Sequence, residues 1–151
     1  MAEVAIDLRW LNGDEEPSGG WEGPIPLWPF ERPQPAGLDR LVDNERLIVR
    51  IVCGHAFPMV EPAIYPRNAE LPNIAFGWTA WHVAPDGALC MLQESAVWDP
   101  RVPAAELIPK ASGWYLEYHL LRRGLIDAMT ESGIVNDDEL DSLLAEAGAC
   151  E

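Results

Sequence analysis

The chain has 151 residues, a hydrophobic fraction of 48%, and 25 acidic against 10 basic side chains, which gives a formal net charge of −15. This length predicts one domain, and the hydrophobic fraction excludes global disorder, which requires low hydrophobicity as well as high net charge. Binding to nucleic acid or to an anionic membrane surface is disfavoured, because both depend on clustered Lys and Arg.

The cysteines and the N-terminus indicate the cellular setting. Cys53, Cys90 and Cys150 are an odd number without CxxC spacing, which predicts neither a disulfide framework nor a zinc site. Glu3 and Asp7 stand where a signal peptide needs a basic start, and no run of 18 apolar residues exists. We therefore expect a soluble, cytoplasmic protein that uses no metal and no cofactor.

Residues 1–46 are predicted to form one strand followed by a proline-rich arm. Apolar and polar side chains alternate over residues 4–10, and the strand is expected to end at Asn12-Gly13. Five prolines between residues 21 and 35 forbid a helix and favour an irregular surface arm. A proline-rich recognition segment is the alternative for this stretch.

Residues 47–102 are predicted to form a meander and a candidate active-site loop. Residues 47–53 are rich in β-branched side chains, which favours a central strand, and residues 73–76 predict a second short strand. Turn residues indicate the loops between them. These are Gly54, Phe57-Pro58, Tyr65-Pro66 and Pro85-Asp86-Gly87.

Residues 103–151 are predicted to be helical. Pro103 suits a first helical turn, and Pro109 is expected to end or kink that helix. A second helix is predicted over residues 110–129, with scattered glutamates on a solvated face, and a third after a capping box formed by Asn136 and Glu139. The predicted apolar faces are Trp114, Tyr118, Leu121, Leu125 and Ala128, then Leu140, Leu143, Leu144 and Ala147; the glutamates are Glu106, Glu117 and Glu131.

Cys90 is the residue that most suggests chemistry. It follows a tight turn by three residues, and His82 lies eight residues upstream. A reactive thiol needs access to solvent together with a lowered pKa or an activating partner. The alternative from the residues alone is a small buried cysteine beside Leu89 and Met91, with His82 in a structural role.

The order of the motifs carries a resemblance to a known family. After the strand at 47–53 come Tyr65-Pro66, His82, Gly87-Ala88-Leu89-Cys90 and then Trp98-Asp99-Pro100. This order resembles the core of the ubiquitin-conjugating enzymes over about residues 47–121, including the intervals of three residues from Gly87 to Cys90 and eight from Cys90 to Trp98.

The resemblance implies an α+β, UBC-like fold over residues 1–151, with an antiparallel meander flanked by C-terminal helices. It implies that Cys90 takes the C-terminus of a ubiquitin-like protein from an activating enzyme as a thioester and passes it to an amine on a target protein. His82 is the supporting catalytic candidate. Further supporting candidates are Asp86, Gly87, Trp98 and Asp99, with turn capping as the alternative for the two aspartates and packing beneath the Cys90 loop for Trp98.

The chain departs from the family pattern beside His82. Val83-Ala84 follow this histidine where the family has Pro-Asn, so no residue here is assigned the stabilisation of the oxyanion. The departures resemble the bacterial branch of the family, whose members occur in conjugation and antiviral-defence operons. Two rivals stay open: a non-catalytic binding module of the same fold, and a thiol redox protein, which the absence of a CxxC motif disfavours.

Overall fold

Along the chain, the strands come first and the longer helices last. The computed structural model describes residues 7–71, 81–91 and 98–149. The elements in chain order are β1 (Arg9–Leu11), β2 (Gly20–Pro24), α1 (Leu38–Leu41), β3 (Ile48–Val52), β4 (Ala63–Pro66), a 3-10 turn (Ala104–Leu107), α2 (Ile108–Arg122) and α3 (Asp141–Ala149). A four-stranded antiparallel sheet with C-terminal helices confirms the predicted α+β class.

The sheet is a simple meander in which β1, β2, β3 and β4 follow one another in space as in sequence. The predicted central strand is confirmed as β3, which pairs with β2 on one side and β4 on the other. Val49 and Ile51 are buried, whereas Arg50 and Val52 are only half-buried, because successive side chains of a strand point to opposite faces. The core therefore lies on the Val49–Ile51 face.

The prediction of an irregular arm over residues 21–35 was wrong for residues 21–24, whereas residues 25–35 form neither helix nor strand, as predicted. Most of β2 lies within this stretch, and β2 is an inner strand between β1 and β3. Pro24 is tolerated because it is the last residue of its strand, and Ile25 and Phe30 beyond it are buried in the core. The meander thus begins before residue 47, with two of its strands in the region predicted as one strand and an arm.

Arg32 fastens the chain after β2 to the C-terminal part of the molecule. Its guanidinium donates to both carboxylate oxygens of Asp141, at 2.8 and 3.0 Å. It also donates to the main-chain carbonyls of Ile134 at 2.7 Å, Val135 at 2.8 Å and Asp137 at 3.1 Å. A bidentate arginine is the side chain best suited to such a junction, because its planar donors match a carboxylate.

Tyr65-Pro66 belongs to β4, so the loop predicted there is a strand. Pro66 is the last residue of β4, where the missing N–H removes no inner ladder bond. The Leu89 N–H donates to the Ile64 carbonyl at 2.8 Å, which brings the Cys90 segment against the far edge of β4.

Helix α2 departs from its predicted bounds at both ends. Pro109 lies in its first turn, where no intrahelical N–H is needed, so it neither ends nor kinks a helix. The helix ends at Arg122 instead of residue 129, and Gly124 follows with φ +73°. Trp114 and Tyr118 are buried as predicted, but Leu125 and Ala128 are exposed beyond the helix.

Helix α3 begins at Asp141, so the predicted cap at Asn136 was wrong. The carboxylate of Asp137 accepts the Glu139 N–H at 2.8 Å in a turn before the helix. The predicted stripe is confirmed: Leu144 and Ala147 are buried, while Leu140 and Leu143 pack partly buried against the core.

Two predicted strands fall partly or wholly outside the described residues. β1 covers the end of the strand predicted over residues 4–10, and the first six residues of the chain lie outside the description. The strand predicted at residues 73–76 also lies outside it. Across residues 7–71, 81–91 and 98–149, no helix has both the length and the apolar character needed to cross a membrane.

Candidate active site

A short antiparallel bridge positions Cys90. Val83 pairs with Leu89, and the predicted turn at Pro85-Asp86-Gly87 joins the two sides. The Gly87 N–H donates to the Ala84 carbonyl at 2.9 Å, and Gly87 has φ +92°, a conformation that favours glycine. Cys90 therefore lies at the end of a tight, hydrogen-bonded hairpin.

Asp86 holds this hairpin to the sheet. One carboxylate oxygen accepts the Ala88 N–H at 3.1 Å, and the other accepts the Tyr65 hydroxyl of β4 at 3.1 Å. Asp86 therefore caps the turn and also presents a negative charge near the Cys90 thiol.

His82 is joined to Cys90 through the backbone. The Cys90 N–H donates to the His82 carbonyl at 2.9 Å, and His82 has φ +51°, a left-handed conformation that costs free energy for a residue with a Cβ. Within the described ranges, no hydrogen bond links the His82 imidazole to the Cys90 thiol. The structure thus brings the two residues together without forming a thiol–imidazole pair.

Burial sets the protonation of both groups. It raises the pKa of the Cys90 thiol, and the charge of Asp86 raises it further. Burial lowers the pKa of His82, an effect that the charge of Glu131 partly opposes. At neutral pH Cys90 is therefore a protonated thiol and His82 a neutral imidazole.

The hydrogen bonds of Trp98 and Asp99 are made outside the Cys90 hairpin. The Trp98 indole donates to the Pro58 carbonyl at 2.7 Å and packs partly buried against the core. Asp99 accepts the N–H and the guanidinium of Arg101 at 2.9 and 3.0 Å. These contacts fit a packing anchor and a turn cap, the alternatives considered for these residues.

Cys90 lines a cleft of about 1150 Å³. One wall is residues 60–63 at the start of β4, a second is the hairpin with His82 and Asp86, and a third comprises residues of α2 and residues 129–133. Cys90 is half-buried, so the thiol borders the cleft instead of lying enclosed in the core.

Sequence reasoning missed the role of Glu117 in this cleft. It was predicted on a solvated face, but the residue is 2% exposed. Its carboxylate accepts the Thr130 N–H at 2.8 Å and the Thr130 hydroxyl at 2.7 Å, and burial raises its pKa. Glu117 thereby holds the chain after α2 in place as one wall of the cleft that Cys90 lines. The sequence signal for this role was a charged residue within an apolar helical run. The helical period of the apolar residues does not by itself show whether such a residue is buried.

A smaller cavity of about 520 Å³ lies on the other face of the sheet. Its lining includes Arg50, Tyr65 and Arg67. Glu22 accepts from Arg50 at 2.8 Å and lies 3.6 Å from Arg67, and Glu16 also lines the cavity, so two carboxylates offset the two guanidiniums there. Cys53, the other described cysteine, is buried, and burial raises its pKa. The cleft beside Cys90 is therefore the better candidate site.

No three His, Cys, Asp or Glu side chains among the described residues are grouped to hold a metal ion. The chain matches no protein-family model, no curated protein and no solved structure at a significant level.

Proposed function

We propose that this protein is a cysteine-dependent conjugating enzyme. It accepts the C-terminus of a ubiquitin-like protein as a thioester on Cys90 and transfers that acyl group to a target amine. The observation that carries the proposal is the half-buried Cys90 thiol beside a cleft of about 1150 Å³, on a hairpin that follows a four-stranded antiparallel meander and precedes the C-terminal helices. This is the element order expected of a UBC-like fold.

The shape of the cleft suits a flexible polypeptide tail. Its walls come from residues 60–63 at the start of β4, from the hairpin and from the chain after α2, and Cys90 and His82 lie on the hairpin wall. An extended C-terminus laid along such a cleft reaches the thiol with its terminal carbonyl, which is the positioning that acyl transfer requires.

Both steps of the reaction take place at the Cys90 sulfur. The Cys90 thiol loses its proton, its sulfur attacks the activated carbonyl on the activating enzyme, and the donor thiolate leaves. The target amine then attacks the Cys90 thioester, the carbon–sulfur bond breaks, and the amine loses a proton as the amide forms. A thioester keeps the acyl group reactive toward amines, which explains a thiol at this position.

The protonation states support particular roles. Because the pKa of Cys90 is raised, its thiol must be deprotonated when the donor docks. His82 is neutral and borders the same cleft, so its imidazole can accept a proton there, although its lowered pKa makes it a weaker base. Asp86 and Gly87 shape the hairpin, while Trp98 bonds to Pro58 and Asp99 caps the turn at Arg101.

One observation favours a second candidate, a non-catalytic binding module with the same cleft. The raised pKa of Cys90 and the absence of a thiol–imidazole hydrogen bond among the described residues give no resting thiolate. A thiol redox role gains no such support, because Cys53 is buried. The bacterial conjugation or antiviral setting belongs to this proposal and rests on the motif resemblance. The cytoplasmic location, expected from the cysteine pattern, belongs to it as well.

The experiment is a charging and discharge assay with the activating enzyme and ubiquitin-like protein from neighbouring genes. With ATP present, we expect a covalent adduct that a reducing thiol removes. After ATP is depleted, added free lysine should discharge the adduct and give the lysine conjugate. Stable binding of the ubiquitin-like protein without any adduct would instead establish the binding module.

A further inference from the structure

The basic residues of the chain are unevenly divided. Nine of the ten are arginine, and Lys110 is the only lysine. A guanidinium stays protonated in proteins and is a poor nucleophile, whereas a lysine amine has an accessible neutral form that attacks acyl groups. Apart from its N-terminus, the chain therefore has one amine that can intercept an activated acyl group.

Lys110 lies at the cleft that Cys90 borders. It is exposed in the first turn of α2, and both residues line the same cavity of about 1150 Å³. Its amine is carried on a flexible four-carbon stem, so the nitrogen can sample the space in front of the hairpin. No arginine lines this cleft among the described residues.

We infer that Lys110 is an internal acyl acceptor for Cys90, and hence a modification site of this protein. The inference rests on the proposed function, since it needs an acyl group on the Cys90 sulfur. The Lys110 nitrogen attacks the thioester carbonyl, the carbon–sulfur bond breaks, Cys90 leaves as thiolate, and the nitrogen loses one proton. The product is an isopeptide at Lys110 and a free Cys90 thiol.

This transfer competes with transfer to the target. An intramolecular amine has a high effective concentration, so it attacks whenever the target amine is absent from the cleft. The isopeptide then leaves an acyl chain attached to the cleft wall, where it obstructs the next tail. Lys110 therefore limits the activity of a charged enzyme that has found no target.

A synthetic peptide supplied as its C-terminal alkyl thioester tests this without an activating enzyme or ATP. We expect the peptide to exchange onto Cys90 as a reducible adduct and then to move to Lys110 as an adduct that resists reducing thiols. Intact mass with and without reductant follows both species, and peptide mapping locates the amide.

Three variants serve as controls. In Lys110→Arg the reducible adduct should persist at least several-fold longer, and no resistant adduct should form. In Cys90→Ser no Lys110 amide should form. In the double variant Arg9→Lys/Lys110→Arg, the exposed lysine on β1 lies outside the cleft lining and should receive no acyl group.

A Cys90 thioester whose lifetime is the same in wild type and Lys110→Arg would overturn this inference and leave the proposed function standing. Acylation of Lys110 at an undiminished rate in Cys90→Ser would also overturn it, because the thiol would then have no part. If neither the peptide thioester nor the activating enzyme charges Cys90, the proposed function and this inference both fail.

Discussion

Cys90 is held as a protonated thiol by features that can be separated experimentally. Burial and the negative charge of Asp86 both raise its pKa, and Asp86 is fixed by the Ala88 N–H and the Tyr65 hydroxyl. Asp86 is therefore a turn cap whose charge reaches the reacting atom. Its two effects differ in chemistry, because an uncharged amide can retain hydrogen bonds at these positions.

The first prediction is that Asp86→Asn makes Cys90 more reactive. Removing the negative charge favours the thiolate, so the pKa of Cys90 falls and alkylation by iodoacetamide at neutral pH speeds up by less than about tenfold. The measurement is the pH dependence of the alkylation rate, with Cys90 modification read by peptide mapping. Asp99→Asn is the matched control, since Asp99 pairs with Arg101 and is not among the charges that act on Cys90. An alkylation profile unchanged or shifted to higher pH would contradict the electrostatic role of Asp86.

At the scale of elements, strand β3 and the turn before Cys90 could be predicted from sequence because local chemistry decides them. β-Branched residues favour β3, and Pro85 with Gly87 sets the turn. The inner position of β2 could not be predicted, because Pro24 argues for an edge and only the pairing partners show that it ends the strand. Helix α2 was extended too far because the apolar period continues past Gly124.

The candidate site could likewise be predicted from sequence only in part. The closeness of Cys90 and His82 was anticipated from the motif order, since both belong to one hairpin. The cleft wall formed by α2 and the chain after it was not anticipated, because the contact between Glu117 and Thr130 and the position of Lys110 depend on tertiary packing. Contacts between distant segments leave little periodic signal in the chain.

The close approach of α1 and α3 gives the second prediction. Gly148 lies in α3 against the backbone of Gly37, and a Cβ on Gly148 would lie 2.6 Å from the Gly37 carbonyl carbon. Gly→Ala inside a helix ordinarily stabilises by about 0.5–1 kcal/mol. Here the overlap with fixed backbone dominates, and Gly148→Ala should lower the free energy of unfolding by about 1–3 kcal/mol.

Chemical denaturation of wild type and Gly148→Ala measures this difference. Gly13→Ala is the matched control, because nothing lies within 4 Å of a Cβ there, and its effect should stay within about 0.5 kcal/mol. An equal or higher stability of Gly148→Ala would show that the two backbones are not in contact.

For the whole molecule, acid stability depends on a histidine remote from the proposed chemistry. His119 is buried in α2, edge-on to Tyr115 and Tyr118, and its Nε2 has no hydrogen-bond partner among the described residues. Burial lowers its pKa to about 4, and the charges of Arg123 and Arg122 act in the same direction, while Asp43 opposes them. The folded protein therefore keeps His119 neutral at neutral pH.

The third prediction is a loss of stability on acidification that depends on His119. Because its folded pKa of about 4 lies below the unfolded value of 6.5, the contribution is complete above pH 6.5 and is lost as pH falls toward 4. The full loss is about 3 kcal/mol. In His119→Leu, the fall in the free energy of unfolding over this range should be smaller by up to that amount.

Denaturation curves at a series of pH values provide the comparison. His55→Asn, at an exposed position, is the control and should retain the wild-type pH dependence. Parallel curves for wild type and His119→Leu would contradict the assignment to His119. His82 contributes in the same direction, since burial also lowers its pKa, so some dependence should survive in the variant.

At the scale of the whole molecule, the net charge bears on the kind of partner and the cleft bears on the proposed reaction. A charge of −15 disfavours nucleic acid as a partner but is compatible with capture of a basic protein segment. Among the described cysteines only Cys90 borders a cleft, and the proposed conjugation depends on that thiol.

The most direct test is the mass of the protein after incubation with activating enzyme, ubiquitin-like protein and ATP. The proposed function predicts one added ubiquitin-like chain that a reducing thiol removes from wild type and from Cys53→Ala/Cys150→Ala. In Cys90→Ser the added chain should be absent or should resist the reducing thiol as an oxygen ester. A reducible adduct that survives in Cys90→Ser, or no adduct on wild type with these partners, would contradict it.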